Sequence, residues 1–190
     1  TEQRRLPCHW VDRIHADAIR GQLDDYAFFL LGLVELYQGS FETRYLRAAL
    51  ELADSMIEQL WDDGRGGFFL TSPADGDLPV RQKHSQDSAV PSGNSAAMLA
   101  LAKLSRLTGR TDLEERAVRT GRAFSALVSR YPSAHTFLLA AVDFLLGPTT
   151  EIVLAGDPRA EDTARLHGEI TSAYRPNNVV VFKPKGGDRL

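Results

Sequence analysis

The chain has 190 residues, 43% of them hydrophobic and 25% charged, which suits one domain, or one domain with a small appendage, around a real core. Its formal net charge of −3 gives no electrostatic case for nucleic acid, because binding that backbone takes a basic surface able to displace condensed counterions. A single cysteine, Cys8, excludes an internal disulfide and a C-x-x-C redox motif, and no apolar run approaches the length of a membrane span.

Residues 1–22 read as an N-terminal extension, unstructured over 1–6. Without an initiator Met or a visible signal peptide, the chain is expected to be a piece of a longer protein, and a reducing, cytoplasmic compartment is the default. Periodicity then predicts a helix over 23–38, with Tyr26, Phe29, Leu30, Leu33, Val34 and Tyr37 at steps of three and four. Phe28, Leu31 and Leu36 make it apolar almost all round, as expected of an inner helix. Asp24 or Asp25 is its expected cap, and Gly39-Ser40 its stop. The next helix, 42–61, is amphipathic: Tyr45, Leu46, Ala49, Leu52, Ala53, Met56, Ile57 and Leu60 form one stripe opposite Arg44, Arg47, Glu51, Asp54 and Glu58. A turn cluster over 62–67, a short extended run over 68–71 and a polar loop over 72–87 follow.

The pattern then returns. An apolar helix over 94–107 ends at Thr108-Gly109, and an amphipathic one over 113–130 is expected to be capped by Asp112. An offset of 68 residues pairs Asp25 with Gly93, Leu33 with Leu101, Leu36 with Leu104, Ala49 with Ala117 and Met56 with Phe124, so the unit is inner helix, turn, outer helix, loop. A third inner-type helix, 134–145, follows Pro132. Gly147-Pro148 marks a boundary, which divides helical hairpins over 23–147 from a tail over 148–190. In that tail a strand over 151–155, a helix over 160–172 and a β-branched strand over 179–182 suit a small parallel pair. The fold class is therefore mainly α, antiparallel helical hairpins with a short α/β tail.

Several of these segments resemble one family. Leu23-Asp24-Asp25-Tyr26-Ala27 is similar to its LDDYA motif, and Gly66-Gly67-Phe68-Phe69 to its GGFF turn. Arg81, Lys83 and Asp87, followed by Val90-Pro91-Ser92-Gly93-Asn94-Ser95, resemble its R-x-K … D-x-x-x-P-S-G-N-S stretch. Tyr174-Arg175-Pro176-Asn177 before the last strand fits as well. The chain resembles the YyaL-like, spermatogenesis-associated thioredoxin-domain group over roughly residues 20 to 182. The resemblance implies a thioredoxin-like domain followed by an (α/α)6 toroid akin to N-acylglucosamine 2-epimerases and six-hairpin glycosidases. This chain lacks the thioredoxin part and the first hairpins, so no redox activity carries over. The missing parts become its expected partners, and self-association of the isolated piece is expected.

In α/α toroids the loops before the inner helices share one mouth, which places Asp24, Asp25, Tyr26, Arg81, Lys83, His84, Asp87, Ser92 and Asn94 together. Asp25, Asp87 and His84 are the candidate catalytic acids and bases of a sugar epimerase or glycosidase. Asp24, Tyr26, Arg81, Lys83, Ser92 and Asn94 are candidate binding residues for a sugar-like molecule, without a cofactor. Each also has a structural reading: Asp24 or Asp25 and Ser92 or Asn94 as helix caps, and Arg81 as a partner of Asp87. That reading leads to the other function class, a non-catalytic scaffold or interaction module. Cys8 and His9, with His15, are too few and wrongly spaced for a metal. His135 reads as a core histidine, Trp61 and Phe69 as packing residues, and Arg116, Arg119 and Arg122 as a solvated face. Gly156-Asp157-Pro158 is a weak phosphate-turn candidate.

Overall fold

The computed structural model describes residues 21–73, 80–157, 159–173 and 175–185. Cys8, His9, Trp10 and His15, the loop residues 74–79, Pro158 and Tyr174 lie outside this set.

Five α-helices make up the first part: α1 Leu23–Ser40, α2 Thr43–Leu60, α3 Gly93–Thr108, α4 Thr111–Arg130 and α5 Thr136–Leu146. Each has the apolar period that buries one face or more, and they pack in two tiers. α3 lies between α1 and α5, α2 packs on α1, and α4 packs on α3. α3 is the most enclosed. Small residues, Ala96, Ala97, Ala100 and Ala102, let its neighbours approach closely, while Met98, Leu101, Leu104 and Leu107 fill the core. The Lys103 ammonium meets Glu35 at 2.5 Å across α1 and α3, at the 68-residue offset of the sequence repeat.

The starts of α1 and α3 also touch. A Cβ on Gly93 would collide with the Asp24 carboxylate and come within 2.7 Å of Leu23 Cγ. Contacts near both ends, at nearly the same offset, mean that α1 and α3 run side by side in the same direction. Close approach, not an unusual dihedral, requires glycine at position 93.

The tail follows as β1 Thr150–Gly156, α6 Glu161–Thr171 and β2 Asn178–Pro184, with β1 and β2 paired in parallel. β2 docks on the C-terminal end of α1: the Val180 amide donates to Gln38 Oε1 at 3.0 Å, and the Phe182 ring stacks on Phe41 with centroids 5.0 Å apart. Among the described residues no helix is long and apolar enough to cross a membrane.

Four local expectations are corrected. α1 runs through Gly39 and Ser40 and stops at Phe41, which takes a left-handed φ of 57° while its ring is held by Phe182 and His167. The N-cap of α4 is Arg110, and Asp112 sits inside the first turn, where it binds the Arg110 guanidinium at 2.8 Å. That guanidinium holds the Asp112 carboxyl below the usual range. Pro132 opens a single 3-10 turn, Pro132–Ala134, before α5 begins at Thr136. In the extended run, only Phe68 makes a bridge, antiparallel to Trp61.

Candidate functional site

The starts of α1, α3 and α5 lie at one end of the molecule, joined by the loop 80–92 and the turn after α4. Asp87 makes the join. Its Oδ1 accepts the Ser92 amide at 2.9 Å, and its Oδ2 accepts the amides of Phe137 at 2.8 Å and Leu138 at 3.3 Å. It therefore caps α5 from a distant part of the chain, with its charge at the positive end of that helix. Its own amide donates to the Ala134 carbonyl at 2.8 Å.

Asp25 is engaged at another helix. Its Oδ2 accepts the Gln22 amide at 2.8 Å, a capping contact within the first turn of α1. Asp24 and His84 are exposed, with His84 Nε2 3.1 Å from Gln82 Oε1. Tyr26 is half-buried. Ser92 is the N-cap of α3: its Oγ accepts the Ser95 amide at 3.1 Å.

Asn94 is fully buried, and its side chain is spoken for at both ends. Oδ1 accepts the Phe68 amide at 2.7 Å, and Nδ2 donates to the carbonyls of Phe68 at 3.0 Å and His84 at 2.8 Å. It pins the 66–69 turn to the loop before α3. The turn itself has Gly66 at φ +72°, where a Cβ would stand 2.8 Å from the Arg119 carbonyl. Both the left-handed backbone and the contact demand glycine.

The two basic candidates brace the same turn. Arg81 does not pair with Asp87. Its Nε and Nη2 donate to the Thr71 carbonyl at 2.9 and 2.7 Å, and its guanidinium lies 3.9 Å above the Phe69 ring. Lys83 Nζ donates to Asp62 Oδ2 at 2.6 Å and to the Gly66 carbonyl at 2.7 Å. This bond, with the Arg65 and Gly64 amides, holds the Asp62 carboxyl below the usual aspartate range against the opposing effect of burial. Asp62 was missed from the sequence, where it reads as turn filler. The one available signal is its place at the head of Asp62-Asp63-Gly64-Arg65-Gly66-Gly67.

Trp61 packs edge-on against Phe68, and Arg116 and Arg119 lie over its ring at 5.9 and 5.1 Å. The arginine face of α4 is thus partly occupied in holding the turn, and only Arg122 of the three is exposed.

Between loop 83–86 and the turn 131–135 lies an open cleft of about 510 Å3, its lining including Lys83, His84, Ser85, Tyr131 and His135. Asp24, Asp25 and Asp87 are not part of its wall. His135 is 4% exposed, as expected of a core histidine, yet it borders this cleft. Among the described residues no cluster of His, Cys, Asp and Glu suits a metal ion.

Fold and site together define a protein segment of paired helices with a parallel α/β end, its polar motifs gathered where the inner helices begin. No family model matches the chain. It is similar to Spermatogenesis-associated protein 20 of Rattus norvegicus, with 39% identity over 182 residues, 95% of this chain and 22% of the relative. The Homo sapiens protein of that name is 37% identical over 163 residues, covering 85% of this chain and 21% of its own length. Uncharacterized protein B0495.5 of Caenorhabditis elegans is 30% identical over 164 residues, covering 86% and 22%. These similarities support the family resemblance carried by the motifs. The chain spans about a fifth of the length of the relatives it matches.

Proposed function

We propose that this chain is one arc of a longer helical protein of the spermatogenesis-associated thioredoxin-domain family, and that it serves as an interaction module for the remainder of that protein. The observation that carries this reading is an asymmetry between equivalent positions. Phe29, Gly32 and Leu36 on α1 correspond, at the 68-residue offset, to Ala97, Ala100 and Leu104 on α3. The three on α3 are 0% exposed, whereas Phe29 is 60% and Leu36 50% exposed. Among the described residues α3 has an inner helix on each side, α1 and α5, whereas α1 has only one, α3. The exposed Phe29–Leu36 flank of α1 therefore suits a further helical hairpin, as in an (α/α)6 toroid, with β2 docked at the C-terminal end of α1. The capping duties of Asp25, Asp87 and Ser92 fit the same structural role.

The test is Phe29→Glu with Leu36→Glu, made both in this chain and in the whole protein. In this chain the pair reduces self-association and leaves stability within about 0.5 kcal/mol. In the whole protein it lowers the melting temperature or opens the helices to protease. An unaffected whole protein overturns the reading.

A second reading, a site for a sugar-like small molecule, is favoured by the open cleft that Tyr131 and His84 help to line. A monosaccharide screen by calorimetry on the whole protein tests it. Binding lost on Tyr131→Ala supports it, and absence of any binding removes it.

A further inference from the structure

We propose that Ser85 is a nucleophile activated by His135, and that the cleft beside them accepts a small carboxylic ester. The argument begins with the ring tautomer. His135 Nδ1 lies 2.8 Å from the Tyr131 carbonyl oxygen. A carbonyl has no hydrogen to give, so Nδ1 carries the proton, and in the neutral ring Nε2 is left with its lone pair. That lone pair faces Ser85 Oγ at 3.2 Å. The hydroxyl therefore donates to Nε2, giving nucleophile, base and orienting acceptor in the order that activation of a serine requires. Here a backbone carbonyl orients the ring.

The pair is held in place. Both residues are only 4% exposed, and both border the cleft. Asp87, two residues beyond Ser85, ties the loop to the turn through its amide on Ala134 and its carboxylate on Phe137. Among the described residues His135 Nε2 is the one hydrogen-bond partner of Ser85 Oγ. Leu127 and Tyr131, each about half exposed, give the cleft an apolar wall for an acyl chain.

The chemistry balances within the pair and one water. Ser85 Oγ bonds to the ester carbonyl carbon as its proton moves to His135 Nε2. The ester C–O bond then breaks, and the imidazolium returns that proton to the departing alkoxide, which leaves as an alcohol. Water gives a proton to Nε2 and attacks the acyl-serine carbon. The acid departs, and the returning proton restores the Ser85 hydroxyl.

The test uses a fluorophosphonate on the whole chain, with the modified peptide mapped by mass spectrometry. The reagent places a phosphonyl group on Oγ, fluoride leaves, and the proton passes to Nε2. Ser85 is expected to label about 100-fold faster than the exposed Ser88, the gain a positioned base supplies. His135→Gln should bring Ser85 down to the Ser88 rate, and Ser85→Ala should abolish the site. The comparison with Ser88 needs no variant, so it stands even where His135→Gln disturbs folding. Equal labelling of Ser85 and Ser88 in the unaltered chain overturns the proposal, leaving the Ser85–His135 bond a tie between loop and turn.

Discussion

Asp87 Oδ2 accepts the amide hydrogen of Phe137 at 2.8 Å across 50 residues of chain, while Oδ1 of the same carboxylate holds Ser92 at the start of the neighbouring helix. One side chain thus ties the starts of α3 and α5 together. Asp87→Ala removes a helix cap, worth about 0.5–2 kcal/mol, and leaves the Ser92 amide unbonded, a further cost of roughly 1–3 kcal/mol. Asp87→Asn keeps one acceptor oxygen and should fall between Asp87→Ala and the unaltered chain. Urea unfolding measures the order. A loss below about 0.5 kcal/mol for Asp87→Ala would show that the clasp contributes little.

Asn94 offers a sharper chemical contrast. Its Nδ2 gives hydrogens to two carbonyls, and Oδ1 takes one from Phe68. Asn94→Ala leaves these groups unpaired in the interior and should cost about 2–5 kcal/mol. Asn94→Asp places a carboxylate oxygen against two carbonyl oxygens, which is worse than a void at neutral pH. Lowering the pH protonates that carboxyl and restores one donor, so the gap between the two variants should close below about pH 5. Denaturant unfolding at pH 7 and pH 4.5 distinguishes this from a pH-independent difference, which the hydrogen-bond scheme does not allow.

What the sequence shows clearly and what it hides divide by distance along the chain. The start of α1 at Leu23, the stop of α3 at Gly109 and the strand Val179-Val180-Val181-Phe182 follow from local period and punctuation. The error at Gly39-Ser40 has a remote cause: Phe182 and His167 hold Phe41 in the left-handed conformation that a local reading assigns to glycine. The site behaves alike. Asp87 and Asn94 stand out in the sequence as polar residues beside a helix start, yet their partners Phe137, Phe68 and His84 are 10 to 50 residues away, whereas Ser92 bonds locally, to Ser95 and Asp87. Ser85 has no motif of its own and becomes visible only when His135 is folded against it.

Acid should weaken the bond between Lys83 and Asp62. The folded carboxyl titrates below its unfolded value, so the unfolded chain binds the proton first as pH falls. The stabilisation is complete above the ordinary aspartate value near 4, and it is lost as pH drops through the lowered one. Lys83→Met removes the largest cause of that shift. The variant should be the less stable at pH 6, with the deficit shrinking towards pH 3. A deficit constant over that range would mean that Lys83 acts through its bond to the Gly66 carbonyl and its packing on Phe69, not through Asp62.

Phe41 sets a backbone cost against a side-chain gain. A left-handed φ costs a non-glycine residue roughly 1–2 kcal/mol. Against that, its ring stacks on Phe182 and lies 4.2 Å from the His167 ring, joining α1 to both α6 and β2. Phe41→Ala loses the ring contacts and keeps the strained backbone. Phe41→Gly loses the same contacts but relieves the strain, so it should be the more stable of the two by about 1 kcal/mol. That order inverts the usual rule for a residue at a helix end in ordinary right-handed geometry. Both variants should speed amide exchange at Val180 and Phe182, whose amides bond to Gln38 and Tyr37 beside the lost ring. If Phe41→Ala proves the more stable, the left-handed turn is not what ends α1. If exchange in β2 is unchanged, the tail is held by the apolar contact of Val179 with the helical core and not by Phe41.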